Sequence, residues 1–146
     1  EFSAVRKAIA ERSGSNYEYM LNYLALERFS YGSSNTDIKE SFVGSTTLGA
    51  ILPPVKQVKG AYFLDENHRF FVDDINYGLC IAKWFAARLN IKTPAIDEVI
   101  SWASSLKGLD MPDFCADELS EMVVKNYGMP TCYGIDSIDE ALGILP

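Results

Sequence analysis

Two helical stretches joined by three residues restrict this chain more than any other feature. From Tyr77 to Asn90 the apolar residues Ile81, Trp84, Phe85 and Leu89 recur at helical spacing, with Lys83 and Arg88 expected outside. After Ile91-Lys92-Thr93, a Thr93-Pro94 pair opens a second helix in the favoured way. Threonine is the N-cap, and proline takes the first helical position, where its missing N–H costs nothing. Asp97 and Glu98 fall in the first turn, where the helix dipole favours negative charge. Ile96, Val99, Ile100, Ala103 and Leu106 make the apolar stripe, and Gly108 ends it. So short a link makes the two helices antiparallel neighbours. The chain therefore reads as all-α: a mostly helical, bundle-like domain with one short extended elbow or hairpin.

The flanking segments agree with that class. Val5, Ala8 and Ile9 share a face after Ser3, the expected N-cap. Asn16 to Tyr31 reads as one amphipathic helix through Tyr17, Met20, Leu21, Leu24 and Phe29, closed by Gly32-Ser33-Ser34-Asn35. Its tyrosines, Tyr17, Tyr19, Tyr23 and Tyr31, suit core and interface better than a ligand site. Short helices are expected from Asp37 to Phe42 and from Leu48 towards Leu52, the second stopped by Pro53-Pro54. A further helix is expected from Asp117 to Tyr127 with Leu119, Met122 and Val123 inward. Ser137 answered by Glu140 has the capping-box form.

Length and charge remove several function classes. A chain of 146 residues is expected to be a single helical domain, 1–146, able to bury a core without disulfides or metals. Cys80, Cys115 and Cys132 have no metal or redox spacing, and Asp110 and Asp113 lack a third ligand. A net charge of −7 with scattered lysines and arginines argues against a nucleic-acid partner. No apolar run reaches the ~18 residues of a membrane span and no signal peptide is visible, so a soluble cytoplasmic protein is expected. A start almost inside a helix is what a chain cut at a domain boundary would look like, with Glu1-Phe2 as a remnant. A natural start fits equally.

Chemistry concentrates in Leu64–Leu79, which holds the only histidine, His68, one arginine, Arg69, and the carboxylates Asp65, Glu66, Asp73 and Asp74. Ala61–Leu64 and Arg69–Val72 are short aromatic or β-branched runs parted by Asp65–His68, the pattern of a hairpin or extended elbow, with Val55–Gly60 as its approach. The elbow delivers Asp73 and Asp74 to the start of a helix. Aromatics buried beside Arg69 would lower the dielectric, so its guanidinium needs a carboxylate from Asp73, Asp74 or a substrate. Spacing alone also fits a plain tie between Arg69 and Asp74. His68 reads as a loop residue with a solvated imidazole. Trp84 and Trp102 are expected in core or interface, or lining an amino-acid pocket.

The pattern made by Arg69, Phe70, Asp73, Asp74, Ile75, Tyr77, Gly78 and Leu79 resembles the hallmark segment of the octopine/nopaline, or opine, dehydrogenase family. The likeness continues through Ile91–Asp97 into Leu106–Asp110, and covers about residues 4–112, most strongly 62–110. Phe70 stands where the family has tyrosine, Asp73 where it has glutamate and Asn76 where it favours proline. The resemblance implies a helical substrate-binding domain, of the kind also seen at the C-terminus of 6-phosphogluconate dehydrogenase, that follows a nucleotide-binding domain. The implied reaction is reductive condensation of an α-keto acid with an amino acid. NAD or NADP would be held mainly by the other domain and none by this chain.

Within that resemblance Arg69 is the keto-acid-binding residue, and Asp74 is the catalytic aspartate that orients a histidine. The family's histidine lies well before the arginine, so His68 does not take its role. No Gly-x-Gly-x-x-Gly occurs either, and the chain alone is expected to be inactive. Two rivals stand beside this reading. One is a helical module that pairs with itself, as a homodimer, or with another chain. The other is the helical domain of a ketopantoate or hydroxyacid dehydrogenase.

Overall fold

The computed structural model describes residues 1–144. Its elements run α1 (Phe2–Ser13), α2 (Tyr23–Tyr31), α3 (Ile38–Gly44), α4 (Thr46–Gly49), β1 (Val55–Val58), β2 (Ala61–Leu64), a π-helix (Phe70–Leu79), α5 (Cys80–Arg88), α6 (Pro94–Leu106), α7 (Glu121–Asn126), a 3₁₀ turn (Pro130–Tyr133) and α8 (Ile138–Ala141). The mostly helical class is as the sequence implies, and among the described residues one two-stranded antiparallel hairpin is the whole of the sheet.

Helices α5 and α6 form the expected hairpin and supply its core. Asn90 takes a left-handed conformation (φ 57°), and the Ile91 N–H returns to the Ala86 carbonyl at 2.8 Å, which closes α5. Cys80, Trp84, Ile96 and Ile100 pack with Phe114, Tyr127 and Met129 of the segment after α6. Two polar groups drawn into this core find partners, as burial favours. The Trp84 Nε1–H donates to Thr131 Oγ1 at 2.8 Å, and the Tyr127 hydroxyl donates to Ser104 Oγ at 2.7 Å. A smaller cluster, Val5 and Ile9 on Ala86, seats α1 against α5. The Arg12 guanidinium grips Asp139 at 2.8 and 2.6 Å and holds that carboxyl below its ordinary range.

Burial pushes the Cys80 thiol up to about 12. The thiolate is the reactive form, so iodoacetamide at pH 8 should label exposed Cys115 in the native protein and reach Cys80 only after unfolding. Native labelling of Cys80 at the rate of Cys115, read by mass spectrometry, would contradict this packing.

Several boundaries differ from the sequence reading. The Asn16–Tyr31 helix begins only at Tyr23, because the Asn22 side chain accepts the Ala25 N–H at 3.0 Å and Tyr17 turns the chain with φ 43°. Phe29, expected inward, is 82% exposed, while Glu27 is buried instead. Helix α7 starts at Glu121 rather than Asp117, capped by Ser120, and Met122 faces solvent. Ser3 does not cap α1, which begins one residue before it. Lys83 and Arg88 are not outside. Their side chains are mostly buried, and their charges reach Asp97 at 2.6 Å and the face of Trp84 at 4.8 Å.

The cap of α6 also departs from expectation. Thr93 is fully buried and its hydroxyl is engaged by Lys83 Nζ at 3.2 Å, so it caps nothing. The free amides at the start of α6 are taken instead by Glu1, whose carboxylate accepts the Ala95 N–H at 2.8 Å and the Ile96 N–H at 3.0 Å. A carboxylate at a helix N-terminus both satisfies donors and complements the dipole. Glu1→Ala should therefore lower stability by about 1 kcal/mol, read as an earlier urea midpoint at constant slope. An unmoved midpoint would show the clasp to be idle.

Candidate active site

The residues that carry chemistry stand where the sheet hairpin hands the chain to the π-helix. The hairpin is Val55–Val58 against Ala61–Leu64, with Val58 opposite Ala61. Its two-residue turn, Lys59-Gly60, has φ of 49° and 85°, the double left-handed geometry of a type I′ turn. The expected pairing of Ala61–Leu64 with Arg69–Val72 is thus corrected. Its strand partner precedes it, and Arg69–Val72 is helical. The Asp65 N–H ties the end of β2 to the Pro54 carbonyl at 2.8 Å, and the His68 N–H returns to the Asp65 carbonyl at 2.9 Å.

His68 begins the helix. Its carbonyl accepts the N–H groups of Phe71 and Val72 at 2.9 and 3.2 Å, and its Nδ1 accepts the Phe70 N–H at 3.3 Å. The imidazole sits edge-on to Phe70, with ring centres 4.6 Å apart, rather than free in solvent. Phe71 turns the other way, is buried, and meets Trp102 at 5.7 Å. Wide i→i+5 turns then run from Phe70 to Leu79, a geometry that is rare, occurs mostly as single turns within α-helices and is frequent at functional sites.

Arg69 and Asp74 are brought together, Nη2 to Oδ1 at 3.2 Å. The aromatic shroud expected around Arg69 is absent, since its side chain is 67% exposed and that of Asp74 49%. Phe71 has gone into the core and Phe70 onto His68, leaving the guanidinium in the open. An exposed pair with a single contact contributes about 0–1 kcal/mol to stability. As a structural tie it is weak. Asp74 is the one partner among the described residues for the guanidinium, so most of its donors stay free for a second carboxylate. Asp73 is exposed beside it.

An apolar groove of about 950 Å³ opens along the same helical column. Its floor is Gly78, Ile81, Ala82 and Phe85, and α1 with the Tyr19–Leu26 segment makes its walls. Gly78 of its floor belongs to the π-helix that carries Asp74, four residues before it, although Asp74 itself does not line the groove. The tyrosines of this wall were expected in core and interface, and Met20, Leu21 and Leu24 on the apolar face of one helix. No group of three or more histidine, cysteine or acidic side chains suited to a metal occurs among the described residues, and none of their helices is long and apolar enough to cross a membrane.

Comparison with known proteins identifies the family. The profile of the NAD/NADP octopine/nopaline dehydrogenase alpha-helical domain matches residues 1–107. The opine dehydrogenase of Haliotis discus hannai is 25% identical over 99% of the chain, and the tauropine dehydrogenase of Arabella iricolor is 24% identical over 94%. A solved octopine dehydrogenase, with NADH and L-arginine, superposes with a TM-score of 0.74 at 22% identity over 99% of the chain. The chain spans about a third of each of these proteins, 36%, 35% and 36% of their lengths. By its matched sequence and its helical architecture, the chain belongs to the octopine/nopaline dehydrogenase family, of which it forms the helical domain.

Proposed function

We propose that this chain is the substrate-binding and catalytic helical domain of an NAD(P)-dependent oxidoreductase that reductively joins an α-keto acid to an amino acid. The observation that carries the reading is the exposed Arg69–Asp74 pair, too solvated to be a useful strut and holding open donors, within a chain of this family. Arg69 presents a planar fork to the keto-acid carboxylate. Asp74 holds in the correct tautomer an imidazole supplied from outside this chain and stabilises it once it is charged. His68 spends its Nδ1 on Phe70 and is not that base. The nicotinamide supplies the hydride when bound, and its site belongs to the nucleotide-binding domain of the complete protein.

The test follows NADH absorbance with pyruvate and a panel of amino acids. The complete protein should turn over and the 146-residue chain should not; steady turnover by the isolated chain would overturn the division of labour. In the complete protein Asp74→Asn keeps the side-chain shape but removes the charge. It should lower kcat by roughly a hundredfold or more while moving the keto-acid KM little. A change confined to KM would assign Asp74 to binding instead.

A further inference from the structure

The helix that bears Asp74 changes its hydrogen-bond step where it meets α5. The Cys80 N–H bonds the carbonyls of Ile75 and Tyr77 and so straddles that of Asn76. The Asn76 carbonyl takes a hydrogen from outside the helix, the Gly128 N–H at 2.8 Å. Gly128 is buried against the Tyr77 ring. A Cβ there would overlap Tyr77 Cδ1 and Cε1 and stand 2.6 Å from Cγ. Because Cγ is the root of the ring, spinning the ring does not clear it. Either Tyr77 leaves its rotamer or the loop retreats and breaks the bond. Retreat is resisted on both sides, by Tyr127 bonded to Ser104 and by Met129, 1% exposed in the core.

We infer that Gly128 is a positioning residue: it lets the loop touch the π-helix, feeds the bypassed Asn76 carbonyl, and so fixes where Asp74 and Arg69 stand relative to α5. Losing one residue of the wide turn would rotate everything before it by roughly 100°. Gly128 lies beyond residues 1–107, so it is no part of the matched family pattern. The catalytic consequence rests on the function proposed above; the clamp itself does not.

The experiment uses the complete protein carrying Gly128→Ala, Tyr77→Ala, or both. With Gly128→Ala, amide exchange over residues 74–80 should quicken at least about tenfold while α6 keeps its protection. The keto-acid kcat/KM should fall roughly tenfold to a hundredfold. In the Tyr77→Ala background the same alanine should cost nothing by either readout, because the ring it strikes is gone. Unchanged exchange over 74–80, or an equal loss in both backgrounds, overturns the inference. If Gly128→Ala does not fold, the double variant should; failure of both to fold also overturns it. A wild-type protein inactive on every substrate pair would sink the proposed function, and exchange would still decide the clamp.

Discussion

Arg69→Lys in the complete enzyme should cost roughly 2 to 4 kcal/mol of transition-state binding, a fall of about 30- to 1000-fold in kcat/KM for the keto acid. Lysine keeps the charge but is a point donor, so it cannot offer two parallel N–H groups to one carboxylate. Folding should hardly notice. The pair with Asp74 is single, 3.2 Å long and largely solvated, which limits its share of stability to about 1 kcal/mol or less. Steady-state kinetics beside a thermal melt separate the outcomes. A melting point several degrees lower with turnover intact would make the pair a strut and remove Arg69 from the site.

Trp84→Ala should have the largest effect on stability, about 3 to 5 kcal/mol, because the residue is fully buried and the cavity left behind cannot collapse. Two further losses attach to it. Thr131 Oγ1 loses its 2.8 Å donor, and Arg88, 4.8 Å from the ring, loses the aromatic face over which it is held. For a domain of this size the melting temperature should drop by roughly 10 °C or more. Trp84→Phe restores most of the volume without the N–H donor, so it should lose about 1 to 2 kcal/mol, since Thr131 Oγ1 keeps only the longer bond from Arg88 Nη2 at 3.4 Å. A loss below about 1 kcal/mol for alanine would mean that the core is not centred on this side chain.

The sequence was most legible where structure is local. The spacing of Ile81, Trp84 and Phe85, and then of Ile96 and Ile100, gave the α5–α6 hairpin because each helix buries one stripe. Periodicity misled at Asn16–Leu21, where apolar residues at near-helical spacing belong to a turn and Asn22 is the true cap. The sheet hairpin was displaced by one strand. Val55-Lys56-Gln57-Val58 is too polar to announce itself, and Lys59-Gly60 is not among the turn pairs that stand out. Arg69 and Asp74 were visible as a pair through the family pattern, but their exposure depends on which way Phe70 and Phe71 turn. Glu1 on Ala95 and Gly128 under Tyr77 could not be read at all, since nothing in a local window marks a contact made across 94 or 51 positions.

The Glu1 clasp has a consequence for the order of events in folding. The hairpin of α5 and α6 closes over five residues, 89–93, while Glu1 must find amides 94 and 95 positions away and Arg12 must find Asp139 across 127. Loop-closure entropy grows with the logarithm of that separation, so distant contacts form only once nearer ones have shortened the effective path. Helix α1, made before the elements it packs on, is thus among the last parts of the domain to be secured. Its docking waits on residues made much later, and until then the α1 segment lacks the partner surface that stabilises it as a helix.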